Sequence, residues 1–274
     1  MKFDKCHGLG NDYVYVDGKE LSLADAQLLA PQLCRRGPGV GADGIIIMGQ
    51  MPESNMISMR MVNADGSEGL ICGNGLRCVA HLARKWQWVS DDEMIIDTAV
   101  GPRRAVIEKY TPQESNVTVE MGFPNFDKVG FECEGPQGKW NWHGVSMGNP
   151  HAVTLMPEGS EVDGLDFNKW GPFISNHPHY SGGVNVNFLF KVAEDQLISR
   201  IWERGSGPTF ACGSGACAGF AVARREGWVG DKAEVALELG SLTMSWAESK
   251  GILMTGPATW SYTAQCELQL MDEL

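Results

Sequence analysis

The sequence predicts an α+β protein that consists of two similar halves. Residues 60–75 align without a gap with residues 200–215, at an offset of 140 residues. In each half, several short strand-like segments surround one segment that has apolar residues at helical spacing. We therefore expect two domains with the same order of elements.

The first half combines two predicted helices with several predicted strands. Residues 22–36 form the first helix candidate, because Ser22 is a favourable N-cap and Asp25 lies in the first turn, although Pro31 disfavours a continuous helix. Residues 76–86 are the second helix candidate. The predicted strands of this half are residues 45–48, 56–63, 93–97, 104–110 and 117–121.

The second half repeats this pattern after a polar, turn-prone stretch at residues 111–115, where we place the boundary. Small residues at helical spacing predict a helix at residues 215–225, which could pack closely at the centre of a domain. The predicted strands are residues 196–203, 233–239, 242–247 and 252–255.

Composition excludes several classes of function. The net charge of −12 argues against binding to nucleic acid or to an anionic membrane surface, because both require clustered Lys and Arg. No stretch approaches 18 apolar residues, and the first residues have no apolar core typical of an export signal. We therefore expect a cytoplasmic protein whose partner is a small molecule.

The chain contains eight cysteines, which we expect to be reduced thiols. Six of them are predicted to be packing residues. One alternative is a metal or iron–sulfur protein that uses Cys72, Cys78, Cys212 and Cys217. Their spacings differ from the common C-x₂-C pattern, so we expect no metal.

Two Cys-Gly-X-Gly motifs, one in each half, predict proton transfer. Cys72 and Cys212 each stand between a predicted strand and a predicted helix, so each sulfur is expected at a helix N-terminus. There the unpaired backbone N–H groups and the helix dipole favour a thiolate, and they can also bind a carboxylate. Inversion of an α-carbon needs a base on one face and an acid on the other, which a thiolate and a thiol can supply.

Two further titratable residues occupy corresponding places in the repeat. Glu203 aligns with Asn63, immediately before Arg204. His151 lies in a Gly-Asn-Pro-His segment whose counterpart is the Gly-Asn-Asp segment ending at Asp12. We favour a functional role for both residues over a solvated charge or a satisfied loop histidine.

Five motifs, in order and spacing, resemble those of the diaminopimelate epimerase family. They are HGLGND at residues 7–12, NADGSE at 63–68, CGNG at 72–75, MGNPH at 147–151 and ACGSGAC at 211–217. The resemblance extends from Phe3 to about Thr259. It implies two similar domains, each a curved, mainly antiparallel sheet wrapped around a central helix. The expected domains are residues 1–113, to which the segment 257–274 returns, and residues 114–256.

The resemblance also implies the function and the site. It implies a homodimeric isomerase of lysine and cell-wall precursor biosynthesis that interconverts LL- and meso-diaminopimelate without a cofactor. Cys72 and Cys212 match the catalytic cysteines, and His151 and Glu203 match the residues that assist them. The positions that match substrate-binding residues are Asn11, Asn63, Gly73, Asn74, Asn149, Asn185, Arg204, Gly213 and Ser214.

Three positions depart from the family pattern. They are Gly44, where some members have Gln, Asn187, where many have Glu, and Pro208, where Glu is common. These departures leave open a sister racemase that acts on another amino acid, such as histidine or lysine. The side chains that hold the distal amino-acid group in the family match Arg204, Asn63, Asn149 and Asn185 here. Their presence favours a substrate with an amino acid at each end.

Overall fold

The computed structural model describes residues 1–51, 55–126 and 130–267, which form two compact units. The first unit contains residues 1–119 and the described chain from Gly256 onward, and the second contains residues 120–255. The first division lies inside the strand Glu114–Gly122. The predicted boundary at residues 111–115 contains the connection between that strand and the one that ends at Tyr110. Residues 268–274 of the predicted returning segment lie outside the described residues.

The first unit contains two helices and most of the strands in the first half of the chain. Its helices are α1 (Leu23–Leu33) and α2 (Gly73–Lys85). Its strands are β1 (Lys2–Gly8), β2 (Asn11–Asp17), β3 (Gly44–Gln50), β4 (Met56–Asn63), β5 (Glu68–Gly69), β6 (Glu93–Thr98), β7 (Gly101–Tyr110) and β8 (Glu114–Gly122), whose last residues belong to the second unit.

The second unit contains the corresponding elements and one additional strand. Its helices are α3 (Phe167–Ser175) and α4 (Gly213–Arg225), with a 3₁₀ turn at Val162–Gly164. Its strands are β9 (Phe131–Gly135), β10 (Gly138–Ser146), β11 (Pro150–Leu155), β12 (Asn185–Ala193), β13 (Gln196–Glu203), β14 (Gly207–Pro208), β15 (Lys232–Leu237), β16 (Gly240–Ala247) and β17 (Gly251–Gln265), which continues into the first unit.

The two units have the same topology. In the first, β2 and β3 are parallel neighbours joined through α1, and β4 pairs antiparallel with β3 and parallel with β6. In the second, β11 and β12 are parallel neighbours joined through α3, and β13 pairs antiparallel with β12 and parallel with β15. The predicted α+β fold class and its internal repeat are therefore present in the structure.

Each unit buries one helix at its centre. Every residue of α2 from Gly73 to Ala83 is buried. In the first unit the strands form a closed circuit around α2, because β17 pairs with both β1 and β8. In the second unit α4 is buried to a similar extent and contacts strands β10 to β13, β15 and β16. In the described part of the chain, no helix is long and apolar enough to cross a membrane.

Helix α1 shows how local sequence sets an element boundary. The Ser22 hydroxyl oxygen accepts a hydrogen bond from the Asp25 backbone N–H at 3.1 Å, which caps the helix as predicted. Pro31 lies inside the last turn and does not prevent the helix, which ends at Leu33. The prediction extended this helix three residues too far.

A buried carboxylate attaches the returning strand to the first unit. Asp4 on β1 is only 4% exposed and accepts hydrogen bonds from the indole N–H of Trp86 at 2.7 Å and of Trp260 at 2.6 Å. The hydroxyl of Thr263 on β17 donates to the same carboxylate. One charged acceptor therefore connects β1, the C-terminal end of α2 and β17.

We expect Asp4→Ala to lower the free energy of unfolding by about 3 kcal/mol, because two indole N–H groups and one hydroxyl lose a buried, charged acceptor. Urea denaturation followed by tryptophan fluorescence would measure the loss. The matched control is Asp92→Ala, since Asp92 is exposed in the same unit. A loss no larger than that of the control would contradict the role of Asp4.

Candidate active site

Cys72 is the N-cap of α2 in the first unit. Its backbone is extended, with φ −134°, and its Sγ accepts a hydrogen bond from the Gly75 N–H at 3.3 Å. A Cβ at Gly75 would lie 2.7 Å from Cδ1 of Ile46, so glycine lets the first turn of the helix approach the sheet. The helix thus begins at Gly73, three residues before the predicted start, because the glycines belong to it.

A hydrogen-bonded chain lies behind Cys72. The Cys72 thiol donates to Oδ1 of Asn11 at 3.3 Å, and the Asn74 amide donates to the same oxygen at 3.1 Å. The Asn11 amide nitrogen donates to Oδ2 of Asp43 at 2.8 Å, which orients the Asn11 oxygen toward the cysteine. Asp43 was not among the residues predicted for the site.

Asp43 belongs to a charged cluster that fixes the start of β2. Arg36 Nη2 lies 2.5 Å from Oδ1 of Asp12 and 2.9 Å from Oδ1 of Asp43. Lys5 pairs with Asp12 at 2.5 Å. Burial would raise the pKa of Asp12, but hydrogen bonds and charge from Arg36 and Lys5 outweigh it and lower that pKa. The cluster therefore holds a carboxylate next to Asn11.

Cys212 is the N-cap of α4 in the second unit. It is buried, its φ is −119°, and its Sγ lies 3.4 Å from Oγ of Ser214. A Cβ at Gly215 would lie 2.5 Å from Oδ1 of Asn187 and 2.9 Å from Cδ1 of Ile201. As in the first unit, a glycine three residues after the cysteine lets the helix approach the strands.

His151 on β11 is connected to the Cys212 helix. The ring is 1% exposed, and its Nε2 lies 3.0 Å from Oδ1 of Asn149 and 3.1 Å from Oγ of Ser214. Its Nδ1 lies 3.1 Å from Nδ2 of Asn187. Burial lowers the pKa of His151 to about 3, so the ring is neutral at neutral pH.

Buried neutral histidines make stability depend on pH. Burial lowers the pKa of His151 to about 3, and burial with the nearby charge of Lys85 lowers that of His81 to about 4. The unfolded chain binds these protons near pH 6.5, so stability is lost as pH falls below about 6.5. We expect each ring to account for a loss of about 2 kcal/mol between pH 7 and pH 5.

Urea denaturation at the two pH values would measure this dependence. His81→Gln should lose less stability than the wild type over this interval, because one titrating group is absent. His179→Gln, which changes an exposed ring, should behave as the wild type. An equal loss in all three proteins would refute the assignment.

The end of β13 carries the remaining charged candidates. Glu203 Oε1 accepts a hydrogen bond from Oγ1 of Thr209 at 2.6 Å. The Arg204 backbone N–H donates to Oδ1 of the buried Asn185 at 2.9 Å. The exposed Arg204 guanidinium donates to the carbonyl of Gly182 at 2.8 Å. Arg204 is thus placed by its backbone, and its charge remains accessible to solvent.

The structure joins the predicted residues into separate groups. Cys72, Asn11 and Asn74 form one hydrogen-bonded group in the first unit, where Asn63 bonds instead to Ser67. In the second unit, one group contains His151, Asn149, Ser214 and Cys212, and another contains Asn185 and Arg204, next to Glu203 on the same strand. Gly73 and Gly213 are the first residues of their helices.

Comparison with solved structures shows the same fold in several proteins. A phenazine biosynthesis protein of the PhzF family from Bacillus anthracis superposes with a TM-score of 0.73 at 13% identity, covering 98% of this chain and 99% of that one. A probable proline racemase from Agrobacterium radiobacter, solved with bound carbonate, gives a TM-score of 0.71 at 16% identity, covering 99% and 94%. At these identities the likeness concerns the fold.

Comparison of sequences identifies the family. The family model for diaminopimelate epimerase matches residues 3–126 and 144–261. A diaminopimelate epimerase from Halothermothrix orenii is 38% identical over 285 aligned residues, covering 98% of this chain and 99% of that protein. One from Bacteroides thetaiotaomicron is 37% identical over 269 residues, covering 97% and 98%. This chain is therefore an isomerase that belongs to the diaminopimelate epimerase family.

Proposed function

We propose that the protein interconverts LL- and meso-diaminopimelate without a cofactor, using Cys72 and Cys212 as its two proton-transfer groups. The observation that carries the proposal is the position of each cysteine. Each is the N-cap of the buried helix at the centre of its own unit. Such a position favours a thiolate, and it occurs once in each half.

The reaction requires no net addition or loss of atoms. One cysteine, as a thiolate, takes the α-proton, and the electron pair of the broken C–H bond remains on the substrate. The other cysteine, as a thiol, gives its proton to the opposite face and becomes the thiolate. The two cysteines have then exchanged protonation states, and the reverse reaction uses them in opposite roles.

The helix N-termini supply the groups that stabilise the charge formed in this step. We assign binding of the reacting carboxylate to the backbone N–H groups of Gly73 and Asn74 and of Gly213 and Ser214. Charge that moves onto the carboxylate as the proton leaves is stabilised by such preorganised donors. Asn11, which contacts both Cys72 and Asn74, is assigned to the same centre.

The distal end of the substrate is assigned to a cationic and amide set. Arg204 would pair with the distal carboxylate, and Asn63, Asn149 and Asn185 would complete its hydrogen bonds and those of the amino group. The solvent-accessible guanidinium of Arg204 supports this assignment. His151 and Glu203 are assigned as residues that assist the two thiols.

Exchange of α-protons in deuterated water, followed by NMR with reductant and no added cofactor, tests the proposal. The panel contains LL- and meso-diaminopimelate, lysine and histidine. Exchange confined to diaminopimelate is expected. Exchange in lysine or histidine instead would retain the two-cysteine chemistry and change the substrate, and exchange in none of them would refute the function.

Three further assignments accompany this function. We propose that the enzyme is a cytoplasmic homodimer and that it acts in lysine and cell-wall precursor biosynthesis. Membership of the diaminopimelate epimerase family supports the biosynthetic role. Sedimentation velocity would test the dimer, and a monomer at micromolar concentration would contradict it.

A further inference from the structure

The two asparagines that contact His151 indicate the same position for the hydrogen of its neutral ring. Asn149 presents its carbonyl oxygen to Nε2 at 3.0 Å, and a carbonyl oxygen can only accept. Asn187 presents its amide nitrogen to Nδ1 at 3.1 Å, and an amide nitrogen can only donate. Both contacts are satisfied when Nε2 carries the hydrogen and Nδ1 keeps its lone pair.

The surroundings of Asn187 restrict which of its side-chain atoms faces Nδ1 of His151. It is fully buried on β12, and its Oδ1 has no hydrogen-bond partner among the described residues. The same oxygen packs against the first turn of α4, where a Cβ at Gly215 would lie only 2.5 Å away. A buried amide oxygen without a partner is costly. Among the described residues, the contact with Nδ1 of His151 is the only hydrogen bond that the Asn187 side chain makes.

The position of the ring proton sets the direction of the hydrogen bonds toward the cysteine. Nε2–H donates to Oγ of Ser214 at 3.1 Å as well as to Asn149. Because Ser214 accepts from the ring, its own hydroxyl hydrogen remains for the Sγ of Cys212 at 3.4 Å. A hydrogen bond donated to sulfur stabilises a thiolate relative to a thiol.

Two charged groups at the end of β13 have hydrogen-bond partners of their own. Among the strands that contact α4, β11 carries His151. Another of them, β13, ends at Glu203, which precedes Arg204. Glu203 accepts from Thr209, and Arg204 donates to Gly182 and Asn185. None of these contacts reverses the direction of the chain from His151 to Cys212.

We propose that Asn187 is a positioning residue that holds His151 as the neutral Nε2–H form, so that His151 acts as a hydrogen-bond donor rather than as a base. In this arrangement the Ser214 hydroxyl accepts a hydrogen bond from His151 and donates one to Cys212. No proton is transferred from His151. The inference rests on the proposed function in one respect, namely that the Cys212 thiolate is a reacting group.

Nitrogen-15 NMR of the histidine rings tests the first part in the wild-type protein. The His151 signals are assigned by their loss in His151→Gln. We expect a pyrrole-like Nε2 and a pyridine-like Nδ1 at neutral pH. A proton on Nδ1, or on both nitrogens, would overturn the inference. This measurement needs no variant of Asn187 and no substrate.

Asn187→Asp tests the second part. A carboxylate accepts where the amide donated, so the ring proton should move to Nδ1, as in an Asp–His–Ser arrangement. Nε2 would then accept from the Ser214 hydroxyl, which no longer donates to Cys212. We expect alkylation of Cys212 by iodoacetamide at neutral pH, measured on its peptide by mass spectrometry, to slow by about tenfold.

Two controls separate this chain of contacts from a general disturbance. Asn141→Asp makes the same change at an exposed position of β10 and should leave the alkylation rate unchanged. In a Ser214→Ala background, Asn187→Asp should alter the rate by less than about twofold, because the connecting hydroxyl is absent. Equal slowing in both backgrounds, or no slowing in either, would overturn the inference.

The outcomes also distinguish this inference from the proposed function. The ring proton and the alkylation rate are measured without diaminopimelate. If α-proton exchange were absent while both measurements gave the expected values, the proposed function would be refuted and the role of Asn187 toward His151 and Cys212 would stand.

Discussion

Cys72→Ala and Cys212→Ala are each expected to lower the rate of diaminopimelate epimerisation by about 10³-fold or more, because general acid–base groups contribute factors of this order. Each substitution removes the only group assigned to one face of the α-carbon, so both variants should show a large loss in both directions of the reaction. Release of the α-proton to deuterated water, together with the ratio of stereoisomers, would measure the loss.

The chain supplies matched controls for these substitutions. Cys78 and Cys217 lie on the same helices as the two N-cap cysteines, after the first turn, and both are buried. Cys78→Ala and Cys217→Ala should therefore retain epimerisation within about threefold, since the dipole effect is confined to the end of a helix. Near-normal turnover in Cys72→Ala or Cys212→Ala would remove the two-cysteine mechanism.

Arg204→Gln is expected to lower kcat/KM for diaminopimelate by about 10²-fold. The substitution removes a charge-assisted hydrogen bond to the distal carboxylate, and such bonds contribute about 1.5–3 kcal/mol each. Glutamine keeps the backbone N–H that donates to Asn185, so the end of β13 should remain in place. Steady-state kinetics in a coupled assay would measure the effect.

Two further variants test whether the loss is due to the charge of Arg204 and is specific to that position. Arg204→Lys should recover part of the lost activity, because it restores the charge without the planar geometry of the guanidinium. Arg200→Gln changes another arginine on β13, whose guanidinium donates to the Ser199 carbonyl, and should have little effect on kcat/KM. Equal losses in Arg200→Gln and Arg204→Gln would contradict a specific role for Arg204.

Most elements of the fold follow from local sequence pattern. The predicted strands at residues 56–63 and 196–203 match β4 and β13 at both ends. Alternating burial along these strands produces the pattern that makes them recognisable. Both central helices begin earlier than predicted, at Gly73 and Gly213, because their first turns use glycine where a Cβ would meet the sheet.

The candidate site was predictable in part. The two Cys-Gly-X-Gly motifs indicate helix N-termini, and the structure places Cys72 and Cys212 there. Asp43 and Asn187 had no such motif. Their importance comes from contacts with Asn11 and His151, which lie 32 and 36 residues away in the chain. The local features that mark them are the Gly-Ala-Asp-Gly stretch at residues 41–44, where β3 begins, and the departure from the family pattern at Asn187.

The sequence alone determined the family and the repeat, and it supplied the two cysteines of the proposed mechanism, because these depend on residue type and spacing. Only the tertiary structure decided which amide faces which ring nitrogen, and which carboxylate orients Asn11. Those properties depend on buried hydrogen bonds between strands that are distant in sequence. A buried donor or acceptor must find a partner in the folded chain, and that partner cannot be read from the residues next to it.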